Sequence, residues 1–274
     1  MDRTPIIAAE RVERAALADL HSAARSEAAR HLGLCLETID GALVSIAERD
    51  PTILVNRTIG LGVEHAASSE TVAEILSRYS DVGLSRYFVH LDPSAEPSEL
   101  SRWLESAGLT PYRRAWAKFV RDAEPPRQHP ESDLEVRLIG SEHAEQFARI
   151  AAQGFGLSRS WHPVLAGLVD RPGWRVYLSF DDGEPAGCAA MRLLDGVAWL
   201  DWASTSPEFR RRGSQGVLLA RRIADAVDLG VRMIATATGE AVPGDPQHSY
   251  RNILRAGFRL SHSRANWVPA THNP

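Results

Sequence analysis

A run that alternates as a strand does, Val197 to Thr205, leads into a basic turn, Pro207-Glu208-Phe209-Arg210-Arg211-Arg212-Gly213-Ser214-Gln215-Gly216. The turn opens an apolar-periodic helix from Val217 to Leu229. Strand, glycine turn and helix N-terminus in succession leave backbone N–H groups unpaired. They point, with the positive helix end, at one place. Such a place suits an anion. Gly213 lets the backbone come close to a ligand because it has no Cβ. Arg210, Arg211 and Arg212 add charge that a phosphate would neutralise. By itself the turn is equally a phosphate site or a solvated helix start.

The pattern on either side builds a sheet. Leu134 to Leu138 is expected as a strand, followed by a helix near Ala144 to Gln153 and another from Pro163 to Val169. Arg175 to Phe180 alternates, Asp181-Asp182-Gly183-Glu184 is a hairpin turn, and Pro185 to Leu193 returns. Leu194-Asp195-Gly196 then turns into the strand that feeds the basic turn. In the helix beyond, Val217, Leu218, Ala220, Ile223, Ala224 and Val227 form the buried stripe, with Arg221 and Arg222 expected to face outward. A strand from Val231 to Thr236 comes next, then a loop, Gly244 to Ser249. A short helix, Ser249 to Ala256, is stopped by Gly257.

Upstream, Ala8 to His31 has helical spacing, and Leu43–Ala47 and Thr52–Val55 are expected strands about the turn Glu48-Arg49-Asp50-Pro51. Gly60 and Gly62 suggest a dinucleotide loop, but His65 stands where the third glycine belongs, which argues against it. A helix starts at Ser69, a strand runs from Arg86 to Leu91, a helix from Pro97 to Ala107, and a strand from Trp116 to Val120. Residues 122–130 are polar, proline-rich and nonperiodic, as a linker is.

Composition narrows the function. The net charge of -4 and pI near 6.2 give no global attraction to nucleic acid or an anionic membrane. Two cysteines, Cys35 and Cys188, exclude a disulfide framework, and the N-terminus lacks a signal peptide's basic start and apolar core. A cytoplasmic protein is expected. There is no Gly-x-Ser-x-Gly elbow, no phosphate-binding Gly-x-x-x-x-Gly-Lys-Ser/Thr loop and no His-Glu-x-x-His pair, and no metal is expected.

Two segments carry a resemblance. Arg210, Gly213 and Gln215 fall on the fixed positions of Arg/Gln-x-x-Gly-x-Gly/Ala. That is the acyl-CoA pyrophosphate loop of the GCN5-related N-acetyltransferases (GNAT). Gln215 replaces the usual small residue, and Gly216 follows one place later. Ser-x-Arg-Asn-x-x-Arg-x-Gly-Phe, from Ser249 to Phe258, resembles the last helix and turn of the same superfamily. The resemblance covers the chain from Leu134 onward.

It implies an α/β (α+β) acyl-CoA N-acyltransferase fold, with a mixed, mostly antiparallel central sheet flanked by helices, in two GNAT-like halves. Residues 1–124 are then a degenerate GNAT-like half or an unrelated α/β extension. Residues 125–132 are the linker and 133–274 the acetyltransferase domain. The resemblance further implies acetyl-CoA, or another acyl-CoA, between two splayed strands, Val197–Thr205 and Val231–Thr238. Backbone groups of Ala203 and Thr205 would pair with it. N–H groups of Arg211, Arg212, Gly213, Ser214, Gln215 and Gly216 would wrap its pyrophosphate, with Ser249 and Asn252 as further contacts.

Acyl transfer to an amine needs a base, a proton donor for the departing thiolate and an N–H for the oxyanion. Asp201 is the candidate base, sharing a strand face with Trp199, Ala203 and Thr205 by the period of two; pairing with an arginine is the alternative. The family's tyrosine position holds Ile253, so Tyr250 is the candidate acid, with Ser249 in reserve and plain packing as the alternative. The expected activity is acetyl-CoA-dependent N-acetyl transfer to the amine of a small-molecule or amino-acid-like acceptor, by direct attack in a ternary complex. A non-catalytic acyl-CoA-binding pseudoenzyme is the alternative. Phe155 to His162 and the first half would select the acceptor, and Trp161 and Trp199 would line its pocket or pack in the core. No nucleic-acid or membrane partner is expected, and the oligomeric state is not legible.

Overall fold

The computed structural model describes residues 3–126, 130–244 and 247–272. The middle of the expected linker and part of the loop Gly244–Ser249 lie outside the described residues. In the first half run α1 (Thr4–Ala23), α2 (Ser26–Leu32), β1 (Leu34–Ile39), β2 (Ala42–Ala47), β3 (Arg57–Ile59), α3 (Ser69–Asp81), β4 (Phe88–Leu91), α4 (Leu100–Ser106), β5 (Leu109–Pro111) and β6 (Trp116–Asp122). In the second run β7 (Glu135–Leu138), α5 (Ala144–Phe155), α6 (His162–Ala166), β8 (Trp174–Asp181), β9 (Glu184–Leu194), β10 (Val197–Thr205), α7 (Ser214–Asp228), β11 (Met233–Gly239), α8 (His248–Arg255) and β12 (Arg259–Pro269). Among the described residues no helix is long and apolar enough to cross a membrane.

The strands form one 12-stranded, mostly antiparallel sheet in the order β1-β2-β3-β4-β12-β6-β11-β10-β9-β8-β7, with β5 on β12. The two halves exchange strands. β6, which precedes the linker, pairs along its length with β11, which follows it (Trp116↔Gly239 to Asp122↔Met233). β12, near the chain's end, pairs with β6 through its first part and with β4 and β5 through its second. The linker therefore joins segments that share one sheet. Each half is completed by a strand from the other.

Local differences from the sequence pattern have physical causes. The helix expected from Ala8 to His31 breaks at Ala24, whose ψ of 119 is extended, giving α1 and α2. Thr52 to Val55 is a turn, because the Thr52 carbonyl accepts from the N–H groups of Val55 and Asn56. The strand starts instead at Arg57. α3 starts at Ser69 as expected and is capped by Ser68, reciprocally with Thr71. Core residues of α1, α5 and α6 pack together on one face of the sheet, so helices of both halves share one core.

Candidate functional site

β10 and β11 pair in parallel only from Val197↔Met233 to Leu200↔Thr236 and then diverge. On its other side β10 loses register with β9 between Asp201 and Ser204. Trp202 there has φ 49, a conformation rare for a bulky residue and concentrated at functional sites. The bulge breaks the alternation expected past Asp201. Asp201, Trp202 and Ala203 in succession line the cleft between the strands, so the strict two-residue period fails where the site begins.

Three hollows adjoin along this line. The cleft itself, about 320 Å³, takes walls from β10, β11, α7 and α8. It shares Leu219 and Asn252 with a groove of about 570 Å³ between α7 and α8, rimmed by Pro126, Pro130 and Glu131. At its other end it shares Phe155, Asp201, Trp202, Ala237 and Thr238 with a cavity of about 230 Å³. That cavity is closed by Glu13, Leu54, Arg57 and Trp116 of the first half and by Trp199.

Asp201 therefore stands in the wall common to the cleft and the cavity. Its carboxylate accepts from Trp199 Nε1 at 3.1 Å and from its neighbour's backbone, Trp202 N, at 2.8 Å. Burial pushes its pKa upward against those two bonds and the attraction of Arg57. The strand arrives in place because Arg222, on α7, donates to the carbonyls of Ala190 (3.1 Å) and Asp201 (3.4 Å). Arg222 was expected to face outward. It is buried, since it lies four residues after Leu218 and four before Ala226 on the packed stripe. Arg221 pairs instead with Asp225.

The basic turn meets the expectation in part. Among the described residues, no backbone carbonyl or side chain accepts from the N–H groups of Arg211 to Gly216, and the first intrahelical bond runs from Val217 N to Gly213 O. Arg210 and Arg211 are exposed. Arg212 turns away: its guanidinium is held by Asp181 (2.6 Å) and Asp133. The Ser214 hydroxyl faces inward to Ser179 at 2.9 Å, over Gly187, where a Cβ would lie 2.4 Å from it. Gln215 donates to the Thr205 hydroxyl at 3.0 Å, tying the strand end to the helix start. Gly213 has φ 85, and a Cβ there would sit 2.6 Å from the Glu131 carbonyl, so its missing side chain accommodates the linker as well as any ligand.

From α8, Ser249, Asn252 and Ile253 reach the cleft at helical spacing. Tyr250 does not. A hundred degrees round the helix from Ser249, its ring packs edge-on against Phe119 of β6, with centroids 4.8 Å apart. Of the two tryptophans weighed for the acceptor pocket, Trp199 lines the cavity, while Trp161 is wholly buried and donates to Asp50 at 2.9 Å.

Behind the cavity lies a buried ion cluster that the sequence reading missed. Glu13 binds Arg264 (2.8 Å), Lys118 and Arg57 (3.2 Å), and Glu10 binds Arg264 at 2.9 Å. The signal was present: Glu10 and Glu13 fall on the apolar stripe of α1 with Ile6, Ala9, Val12 and Leu17. A charge at a core position needs a partner.

The acetyltransferase (GNAT) domain family model matches residues 109–242. That segment of the chain is similar to the GNAT acetyltransferases. GNAT proteins bind acyl-CoA and transfer its acyl group. The match starts at β5, before the linker, as the strand exchange requires. A GCN5-related N-acetyltransferase from Kribbella flavida superposes with a TM-score of 0.60 at 18% identity, covering 89% of this chain and 96% of that one. One from Sphaerobacter thermophilus gives 0.58 at 18% identity over 77% and 70%. A tandem GNAT protein from the clavulanic acid biosynthesis pathway gives 0.57 at 15% identity over 82% and 77%. At these identities the likeness is one of fold. No curated protein sequence matches the chain.

An acyl-CoA fits this donor set. The free amides of Arg211 to Gly216 suit the pyrophosphate, the diverging strands leave room for a slender arm, and Asn252 lies on the path between groove and cleft.

Proposed function

We propose that this protein is an acetyl-CoA-dependent N-acyltransferase acting on the amine of a small or amino-acid-like acceptor by direct attack in a ternary complex. The observation that supports it best is the position of Asp201 in the one wall shared by the strand cleft and the cavity behind it. The cleft is the cofactor's side and the cavity the acceptor's. Bound acyl-CoA supplies the acyl group as an activated thioester.

The chain's residues do the rest. Amides of Arg211 to Gly216, backbone of Ala203 and Thr205, and the Asn252 and Ser249 side chains hold the cofactor; the exposed Arg210 and Arg211 add charge. The amine must be neutral to attack. Asp201, whose pKa burial pushes upward, takes its proton at a carboxylate oxygen that Trp199 and Trp202 hold in place. Ionised, that carboxylate has about four acceptor sites, of which the two tryptophan donors use two. A proton for the departing sulfur comes from a hydroxyl lining the cleft, Ser249 or Thr238, since Tyr250 is committed to Phe119.

Tyr250's placement also favours a second reading, an acyl-CoA-binding protein without turnover. Incubating the protein with acetyl-CoA and an amine panel, with free thiol followed over time, separates the two. Thiol release that needs both the amine and Asp201 supports the enzyme. Tight acetyl-CoA binding with no release for any amine supports the binder.

A further inference from the structure

We infer that the acceptor carries a carboxylate beside its amine, and that Arg57 of the first half binds it. The inference deepens the reading above and rests on it for the amine's position near Asp201.

Arg57 lines the cavity opposite the cleft. The ion cluster behind it sets three cations, Arg57, Lys118 and Arg264, against two carboxylates, Glu10 and Glu13. Those carboxylates are taken up elsewhere. Glu13 accepts twice from Arg264 and once from Lys118, and Glu10 accepts from Arg264 and the Gly60 N–H. The Arg57 guanidinium lies over the Trp116 ring, 4.8 Å from its centroid, but makes one hydrogen bond among the described residues, 3.2 Å to Glu13, and its buried Nε has no hydrogen-bond partner. Of the three cations it alone lines the cavity. A buried guanidinium so thinly satisfied is a costly residue to keep unless something completes it. Its planar fork matches a carboxylate.

Asp201 lines the same small space, close enough to Arg57 to feel its charge. One wall thus offers a carboxylate for an amine, and another a guanidinium for a carboxylate. Between them stand Trp116, Trp199, Trp202 and Phe155, which suit an apolar side chain. At about 230 Å³ the cavity falls below the roughly 300–1,000 Å³ of drug-sized ligand sites. An α-amino acid with an apolar side chain has these three features at this scale.

The test compares matched acceptors: apolar α-amino acids, their primary amides, and the decarboxylated amines. The amide has the less basic amine and is the more easily deprotonated, so preference for the acid cannot come from amine basicity. The wild type is expected to favour each amino acid over its amide and its amine by at least tenfold in kcat/KM. In Arg57→Gln that preference disappears through KM, while Arg57→Lys keeps part of it. Unchanged acetyl-CoA affinity of the variants by calorimetry shows that they are folded. Turnover indifferent to the carboxylate in the wild type overturns the inference and leaves acyl transfer standing. If no amine is turned over at all, calorimetry with the same amino acids decides. Binding to the wild type that Arg57→Gln loses supports the carboxylate site, and equal or absent binding overturns it.

Discussion

One guanidinium nitrogen of Arg222 donates to the main-chain carbonyls of both Asp201 and Ala190, which face each other as the last regular pair before β10 leaves register with β9. The strand that carries the candidate base is thereby tied to α7, the helix whose N-terminus carries the free amides. Burial lowers the Arg222 pKa to about 10, so it stays charged at neutral pH. The basic turn and the candidate base are braced by a single residue.

Replacing Arg222 by Met keeps the length of the side chain and removes the shared donor. Hydrogen bonds from charged groups contribute about 1.5–3 kcal/mol, and a destabilisation of that order is expected. Urea unfolding measures it. Acetyl-CoA affinity is expected to fall as well, because the bulge at Trp202 loses its brace. A variant as stable as the wild type, with unchanged affinity, would show that the carbonyls are satisfied without Arg222.

Asp201→Asn is expected to separate activity from stability. A carboxyl whose folded pKa lies above its unfolded value favours the protonated folded form, so its ionisation costs stability as pH rises through that folded pKa. Asparagine carries no such cost. Its NH2 replaces one of the two oxygens that accept from Trp199 and Trp202, so one bond is lost at every pH. The stability of the variant relative to the wild type should be better at pH 7 than at pH 4. Turnover should fall by about 10²–10⁴, the range of a lost general base, and the rise of rate with pH should flatten. Melting curves over that pH range and a pH–rate profile check both. An unaltered profile demotes Asp201 to a structural residue.

Much of this site was legible in the chain. The strand, basic turn and helix from Val197 to Asp228 appear where alternation gives way to helical spacing, because both periods reflect burial on one face. Asp201 could be placed on a strand face from that pattern, and Ser249 and Asn252 only from the resemblance of the last helix to the acetyltransferases. The bulge could not, since nothing local marks Trp202 for a left-handed φ; Arg222 and the diverging strands impose it from outside. Arg57 was hidden differently. Its strand has only three residues, too short for a period, and the other members of its cluster, Glu13, Lys118 and Arg264, are scattered through the chain. The exchange of β6 and β12 between halves was equally illegible. A proline-rich linker reports where the chain is exposed and says nothing of which sheet its flanking strands join.

Gly213→Ala should weaken the site through the backbone. With φ 85 the position is left-handed, which costs an alanine about 1–2 kcal/mol, and the new Cβ would press on the Glu131 carbonyl. The loop or the linker must shift. A loss of stability near that size and at least a tenfold loss of acetyl-CoA affinity are expected, measured by thermal melting and calorimetry. Lost stability with full affinity would mean that the amides of this turn do not hold the cofactor.

Glu13→Gln tests whether the ion cluster locks the halves together. Burial pushes the Glu13 pKa up, but Arg264, Lys118 and Arg57 outweigh it and hold the carboxylate well below its usual range. A depressed folded pKa contributes stability above the unfolded value, about 4.3 for Glu, and loses it as pH falls below that. Glutamine keeps the shape and removes the charge, leaving three buried cations with the Glu10 carboxylate. Breaking a buried pair in this way costs about 3–5 kcal/mol. Because Glu13 lies on α1, Lys118 on β6 and Arg264 on β12, the loss should appear in one unfolding transition that takes both halves together. The gap between variant and wild type in guanidinium titrations should close as pH drops below about 4, where the wild-type carboxylate begins to lose its advantage. Adding Arg264→Met should cost less than the sum of the two single changes, since each variant already leaves the other's partner unpaired. A pH-independent difference, or strict additivity, would show that the two residues pack without exchanging charge.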